Sequence, residues 1–113
     1  MDDREIDALI AEKIMGWKPT EHPDKFTFDG GEYHIQDWST DIKAAWEIVE
    51  KLSKNTVSFM LEQDFVDQND LWFARFVVCV DEDQNTNECE AEAQCPAMAI
   101  CLAALKAVGV EGE

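Results

Sequence analysis

The feature that most constrains the fold is the almost uncharged stretch of residues 96–108, which Gly109 closes. Pro96 suits the first position of a helix, because a proline lacks the N–H that would be unpaired there. The alanines and leucines that follow are strong helix formers, and glycine readily adopts the left-handed conformation that ends a helix. Lys106 is the only charged residue of the stretch, so other parts of the chain must cover most of its surface. The sequence therefore predicts a buried C-terminal helix.

Apolar residues at helical spacing predict two further helices. The first covers residues 3–15, and Gly16 is placed to end it. The second opens near Trp38 and runs to about residue 52, with Ser39 or Thr40 as the N-cap and Asp41 in its first turn. Its apolar stripe contains Ile42, Ala45, Trp46, Val49 and either Leu52 or Ser53. A tryptophan that shares a stripe with isoleucine and valine is usually buried, so we expect Trp46 in the core.

Two pairs of strands are predicted between these helices. Residues 26–28 and 33–35 flank an Asp-Gly turn and predict a hairpin. Residues 55–61 alternate between apolar and polar, which is typical of a half-buried strand. Residues 71–80 are apolar on both faces and predict a central antiparallel strand that is covered above and below. Its one charge, Arg75, is then either a paired core residue or a side chain that points into a cleft.

The predicted fold class is α+β, because helices and mostly antiparallel strands alternate in groups. We expect a single-domain α/β/α sandwich over residues 1–113, with elements in the order αββαββα and a mostly antiparallel sheet covered by helices. A chain of this length is typical of one domain, and it can bury roughly two-thirds of its unfolded surface.

The strongest compositional signal is acidity. The 9 basic and 25 acidic residues give a formal net charge of −16. Direct binding to DNA, RNA or anionic lipid needs a basic patch, so we expect neither nucleic-acid nor membrane binding. The surplus carboxylates are either a solvated surface that suits a basic partner, or a mimic of the phosphates of a nucleic acid. The chain also lacks an apolar run of roughly 20 residues and a leader-like start, so we expect a cytoplasmic protein.

The four cysteines do not have the spacing of a zinc site. Cys79 lies in the predicted central strand and Cys101 in the last helix, where each is expected to be a small buried hydrophobe. Cys89, Cys95 and Cys101 are six residues apart, with no C-x₂-C pair and no nearby histidine. We therefore expect reduced thiols.

One acidic stretch resembles the ligand pattern of a calcium loop. The residues at its positions 1, 3, 5, 7 and 12 are Asp81, Asp83, Asn85, Asn87 and Glu92. Thr86 replaces the turn glycine, Glu88 replaces the usual apolar residue, and a strand precedes the stretch instead of a helix. We therefore predict a hydrophilic connector and no metal site, with a calcium loop as the alternative.

No arrangement of reactive residues indicates catalysis. His22 lies in a proline-containing loop, and His34 alternates away from its apolar neighbours in the predicted hairpin. Neither has a serine, cysteine or carboxylate at a spacing typical of a nucleophile and its base. The sequence therefore predicts a protein that is not an enzyme, with no catalytic residues and no cofactor.

Three segments together resemble a known family. They are residues 4–17, the segment Trp38-Ser39-Thr40-Asp41-Ile42 with the helix that follows it, and residues 96–105. In combination they resemble the phage ABA sandwich domain, found in small proteins of Bacillus and other Firmicutes phages and prophages. The resemblance implies a sheet between helical layers and a phage or prophage origin. It transfers no activity and no catalytic residues. A proline that family members often carry between the tryptophan and Ser-Thr is absent here, which affects only the start of the second helix.

The expected function is that of a small acidic phage accessory protein in the host cytoplasm. We expect a non-enzymatic binding module that acts on a host protein or a small ligand, including a counter-defence role in which it sequesters a nucleotide signal. An anionic ligand of that kind would need several cations in one cleft, drawn from Arg75, Lys18, Lys25 and Lys43. The alternative is a nucleic-acid mimic that inhibits a DNA-binding host enzyme. The chain has four tryptophans, and an exposed one would favour a homodimer.

Overall fold

The structure is a computed structural model, and it describes residues 3–22, 24–54, 56–64, 71–79 and 86–109. The elements follow the order αβββαβββα. The predicted α+β class is confirmed, with one strand in each half beyond the predicted order. A continuous apolar core joins residues from all three helices and from both sheets.

The N-terminal helix changes its winding partway along. α1 spans Asp3–Leu9 and continues as a π-helical segment over Ile10–Ile14, in which the Met15 N–H donates to the Ile10 carbonyl at 3.0 Å. Gly16 follows with φ +77° and ends the helix, as predicted. The isoleucines of this helix face the core.

The three-stranded N-terminal sheet contains the predicted hairpin. Its strands are β1 (Lys18–Pro19), β2 (Lys25–Phe28) and β3 (Gly31–His34), paired antiparallel in the order β1-β2-β3. Asp29 and Gly30 have φ angles of 51° and +79°, and a two-residue hairpin turn of this kind requires positive φ at both positions. The short strand β1 lies in a stretch that the sequence predicts as a loop.

α2 spans Ile42–Leu52 and begins later than predicted. Its N-cap is Asp41, whose carboxylate accepts a hydrogen bond from the Lys43 N–H at 3.0 Å. Ser39 is not the cap, because its N–H donates to the Asp7 carboxylate and binds this segment to α1.

The prediction that Trp46 is a core residue is wrong. Trp46 is 47% exposed, whereas Ala45 and Ile48 of the same helix are fully buried. Ala45 and Ile48 lie at the centre of the buried face of α2, and Trp46 lies at the margin of that face. The Trp46 indole packs edge-on against Phe59, with 5.6 Å between ring centroids.

The larger sheet contains β4 (Thr56–Asp64), β5 (Leu71–Cys79) and β6 (Thr86–Ala93) in the antiparallel order β4-β5-β6. The predicted central position of β5 is confirmed. In this register Arg75 lies opposite Met60 on β4 and Glu90 on β6.

β6 occupies the second half of the stretch that the sequence predicts as a connector. Over residues 88–92 the burial alternates: Cys89 and Ala91 are buried, while Glu88, Glu90 and Glu92 are exposed. The buried side chains, Cys89 and Ala91, are small, whereas the residues between them are acidic. The sequence therefore does not show the alternation of large apolar and polar residues that is typical of a strand.

α3 spans Pro96–Ala107 and is buried over most of its surface, as predicted. It packs on β5 and β6 on one side and on α2 on the other. Its fully buried residues include Ile100, Cys101 and Leu105, and Gly109 follows with φ +88°. None of the helices in the described ranges is long and apolar enough to cross a bilayer.

Candidate binding surface

The face of the β4-β5-β6 sheet that points away from α3 is the strongest candidate for a functional surface. Inward residues of β5, such as Ala74 and Phe76, are fully buried in the core that contains α3. The alternate residues point to the opposite side, because successive side chains of a strand leave opposite faces. We call this side the outer face, and its described residues include Ser58, Met60, Glu62, Leu71, Phe73, Arg75, Val77, Thr86, Glu88, Glu90 and Glu92.

An apolar patch lies in the middle of the outer face. Leu71, Phe73 and Val77 of the central strand, with Met60 beside them on β4, are half-buried. None of the four belongs to the apolar core or packs against it. The sequence predicts that β5 is covered on both sides, but in the described part of the chain α3 covers only the side of Ala74. Arg75 lies between Phe73 and Val77 on the same face and opposite Met60, so the four apolar residues are grouped around one cation. Accessible apolar side chains grouped in this way are typical of an interaction site.

A shallow depression marks one end of the apolar patch. Its volume is about 250 Å³. The residues that line it are Met60, Glu62, Leu71, Phe73, Arg75 and Glu92. This volume is below the roughly 300–1,000 Å³ of small-molecule pockets, so the depression suits a side chain of a partner better than an enclosed ligand.

Arg75 is held in place on the outer face by two neighbours. Its Nε donates to the Glu90 Oε2 at 3.1 Å, across the pair of facing residues on β5 and β6. Its guanidinium carbon lies 5.4 Å from the centroid of the Phe73 ring. The side chain is therefore paired, and it lines the depression rather than the core.

Carboxylates flank the apolar patch on both sides. Glu62 lies on β4, and Glu88, Glu90 and Glu92 form a row along β6. Residues two apart in a strand repeat about every 7 Å, so the row is regular. All four glutamates are exposed, and Arg75 is the one cation on the outer face as defined here. The central strand thus presents apolar residues and Arg75, and the two margins of the surface are negative.

The calcium-loop pattern does not come together in the described residues. Asn87 and Glu92 both lie in β6, five residues apart in an extended strand, which separates them by about 17 Å. The odd offset also directs their side chains to opposite faces, so these two cannot bind the same ion in this conformation. Asp81, Asp83 and Asn85 lie outside the described residues. Within the described ranges, no group of three or more histidine, cysteine, aspartate or glutamate side chains is arranged to hold a metal ion.

A buried polar cluster that the sequence analysis missed joins α1 to the start of α2. The Asp7 carboxylate accepts a hydrogen bond from the Ser39 N–H at 2.8 Å, and the Ser39 Oγ donates to the Asp3 carbonyl at 3.4 Å. Burial raises the pKa of Asp7, against the opposing effect of its bonds to Ser39. The sequence contains a signal for the burial of Asp7, because this residue shares a helical face with Ile10 and Ile14, which are buried.

Two cysteines lie next to this cluster. The Cys95 Sγ donates weakly to the Ser39 carbonyl at 3.7 Å. Cys101 is fully buried, and this burial raises its pKa well above the ordinary range. A thiol of that kind is a poor nucleophile, because the thiolate is the reactive form. The predicted burial of Cys101 is confirmed, whereas the Cys79 side chain lies outside the described part. Cys89, Cys95 and Cys101 are free thiols.

A second depression, of about 630 Å³, adjoins the N-terminal hairpin. The residues that line it are Gly16, Lys18, Thr27, Phe28, Asp29, Gly30, Gly31 and Glu32. Beside it, Trp17 stacks on Tyr33, with 5.1 Å between ring centroids and 19° between ring planes. The hairpin depression is lined by charges of both signs and by three glycines. It therefore offers few side chains that could recognise a particular ligand.

The four cations that an anionic ligand could use are divided among three parts of the described structure, because Lys18 and Lys25 lie on the N-terminal sheet, Lys43 lies in α2 and Arg75 lies on β5. Lys18 lines the hairpin depression, and Arg75 lies on the outer face. Lys25 lies 3.6 Å from the Glu32 carboxylate. Both histidines are exposed, as predicted for His34, and their hydrogen bonds involve main-chain atoms.

Comparison with known proteins places the chain. A phage protein from Bacillus cereus ATCC 14579, with a crystal structure at 2.0 Å, is similar to it with a TM-score of 0.78 and 28% sequence identity. The similarity covers 100% of this chain and 93% of that protein. No curated protein matches significantly. The model of the phage ABA sandwich domain matches residues 8–105. The chain therefore belongs to the phage ABA sandwich domain family, as its helical motifs predict.

Proposed function

We propose that the chain is a phage accessory protein that acts as a non-enzymatic binding module, with the outer face as its binding surface. One observation carries the proposal. Four half-buried apolar residues lie outside the core, and four exposed glutamates flank them on neighbouring strands. Such a combination is typical of an interface, in which an apolar centre is surrounded by a polar rim.

The state of the reactive side chains supports a role without catalysis. Ser39 and Cys101 are fully buried, so neither can meet a substrate. The thiol of Cys101 is also kept protonated by its surroundings, because burial disfavours the thiolate. The hydrogen bonds of the accessible histidines, His22 and His34, are made by their main-chain atoms, and in the described ranges neither imidazole bonds a nucleophilic side chain.

A host protein suits the outer face better than a small ligand does. The depression on the face has a volume of only about 250 Å³, and tight binding of a small molecule needs a larger concave site that encloses it. Sequestration of a host defence component would require only such a protein interface, so a counter-defence role is compatible with the proposal. A nucleotide signal suits the outer face less well, because the face as a whole carries four carboxylates and one arginine.

Capture from host lysate with matched variants tests the proposal. Phe73→Asp and Met60→Asp each place a charge in the apolar patch. Phe28→Asp is the control, because Phe28 is an exposed aromatic residue on the other sheet. Thermal unfolding first establishes that each variant folds.

We expect the wild-type chain and Phe28→Asp to retain the same host protein or small molecule, identified by mass spectrometry. Phe73→Asp and Met60→Asp are expected to lose it. Retention of nothing by the wild type, equal retention by all variants, or chemical turnover of the retained compound would overturn the proposal.

The row of glutamates on β6 supports a second candidate function, mimicry of a nucleic acid. Glu88, Glu90 and Glu92 present carboxylates at a regular spacing on an exposed strand. A mimic is expected to capture a DNA-binding enzyme that excess duplex DNA displaces and that high salt releases. Replacement of the three glutamates by glutamine should abolish that capture, whereas Phe73→Asp should leave it intact.

A further inference from the structure

We infer that the outer face receives a basic amphipathic α-helix from a partner protein, which forms a second helical layer on the β4-β5-β6 sheet. The inference rests on the proposed function and specifies the chemistry of the partner. It follows from the dimensions of the face, the arrangement of its charges and the state of the sheet edge.

The dimensions of the outer face match those of a helix. Neighbouring strands lie about 4.8 Å apart, so the centres of β4 and β6 are about 10 Å apart, which is close to the diameter of a helix with its side chains. The strands contain eight or nine residues and are therefore about 27–30 Å long. A helix that follows them would contain about 18–20 residues.

The arrangement of charge specifies a basic helix with one apolar stripe. The apolar residues Leu71, Phe73 and Val77 lie on the central strand, where the stripe of a helix would rest. Arg75 stands between Phe73 and Val77 in this row, with its charge paired to Glu90 on β6. Glu62 lies on one side of them, and the glutamate row of β6 lies on the other. Arg75 offsets one of these four carboxylates, through its ion pair with Glu90. Lysines or arginines on the flanks of the helix would therefore meet opposite charge on both sides.

The same charges argue against a second copy of this chain as the occupant. Two outer faces brought together would each contribute four glutamates and one arginine, and like charges across an interface are repulsive. The net charge of −16 adds to that repulsion at longer range.

Addition of a partner strand to the edge of β6 is also disfavoured. The Lys106 Nζ, at the end of α3, donates to the main-chain carbonyl of Glu90 at 2.8 Å. This contact occupies an acceptor in the middle of β6, and an added strand needs such acceptors. A partner that docks on the face of the sheet leaves the contact in place.

Three designed peptides of about 18 residues test the inference. The first places leucines at i, i+3, i+4 and i+7 with lysines elsewhere, so that it folds as an amphipathic helix. The second has the same composition in scrambled order and the same charge. The third keeps the leucine stripe and replaces every lysine with glutamate. Fluorescence anisotropy gives each Kd, and circular dichroism reports helix formation on binding.

We expect the first peptide to bind at least about tenfold more tightly than the scrambled one, a difference of about 1.4 kcal/mol. Phe73→Asp should weaken its binding by a similar factor, whereas Phe28→Asp should not. The variant with glutamine in place of Glu88, Glu90 and Glu92 should bind more weakly and show a smaller dependence on salt. The acidic peptide should not bind.

Two results would overturn the inference. The first is equal binding of the ordered and scrambled peptides, or no effect of Phe73→Asp, because binding would then follow from net charge alone. The second is a wild-type dimer that Phe73→Asp converts to a monomer, which would assign the outer face to a second copy. If the peptides fail but capture from lysate still depends on Phe73, the proposed function stands and only the helical partner is wrong.

Discussion

The side-chain carboxylate of Asp7 in α1 accepts a hydrogen bond from the main-chain N–H of Ser39, at 2.8 Å and in the interior of the protein. The contact spans 32 residues and fixes the segment that leads into α2. It also explains why Asp41, and not Ser39, begins that helix.

Replacement of Asp7 by alanine should therefore destabilise the fold. The variant leaves the buried Ser39 N–H without its acceptor, which costs about 1–3 kcal/mol. Urea unfolding measures the difference. Glu12→Ala is the matched control, because Glu12 is an exposed carboxylate in the same helical region and should change stability by less than about 0.5 kcal/mol. Equal losses of stability in Asp7→Ala and Glu12→Ala would contradict the structural role of Asp7.

Asp7 should also make stability depend on pH. Burial raises its pKa above the ordinary 3.8, so the folded state favours the protonated carboxyl. Below pH 3.8 the group is protonated in both states, and its favourable contribution to stability is fully present. As the pH rises from 3.8 through the folded-state pKa, the unfolded chain loses its proton first, so this contribution to stability is lost.

The comparison of Asp7→Asn with the wild type isolates this contribution. The amide oxygen still accepts the Ser39 N–H, but the side chain never ionises. We expect the stability of Asp7→Asn relative to the wild type to rise as the pH increases above 3.8 and then to become constant. Thermal unfolding of both proteins at matched pH values measures it, and a constant difference over the whole range would show that the pKa of Asp7 does not change on folding.

Much of the fold follows from local patterns in the sequence. α3 is predicted because proline, small helix formers and glycine stand where a buried helix needs them, and β5 is predicted because it is apolar on both faces. The outer face was missed because those patterns do not reveal which elements cover each side of a strand. β6 was missed because its inward residues, Cys89 and Ala91, are small and its outward residues are glutamates. The Asp7–Ser39 contact joins distant segments, and no local pattern predicts such a pair.

The tryptophans of α2 and of the segment before it should contribute very differently to stability. Trp38 is fully buried, with its ring centroid 5.3 Å from that of Trp17, so Trp38→Ala should cost about 3–5 kcal/mol. Trp46 is 47% exposed and makes an edge contact with Phe59. Trp46→Ala should therefore lower the free energy of unfolding by only about 1 kcal/mol. Urea unfolding of both variants measures the two losses of stability. If Trp38→Ala does not fold, Trp38→Phe provides the comparison, and it too should lose more than Trp46→Phe.

The cysteines should differ in their reaction with a thiol reagent. Cys101 is fully buried and its pKa is raised, so both access and thiolate formation are suppressed. Cys95 is half-buried and lies one residue before α3, so it should react sooner. In the native state, Cys101→Ala should leave the kinetics of labelling by Ellman's reagent unchanged, whereas Cys95→Ala should remove a faster phase. In urea all four cysteines of the wild type should react. Rapid labelling of Cys101 in the native protein, identified by mass spectrometry, would contradict the burial of α3 against the large sheet.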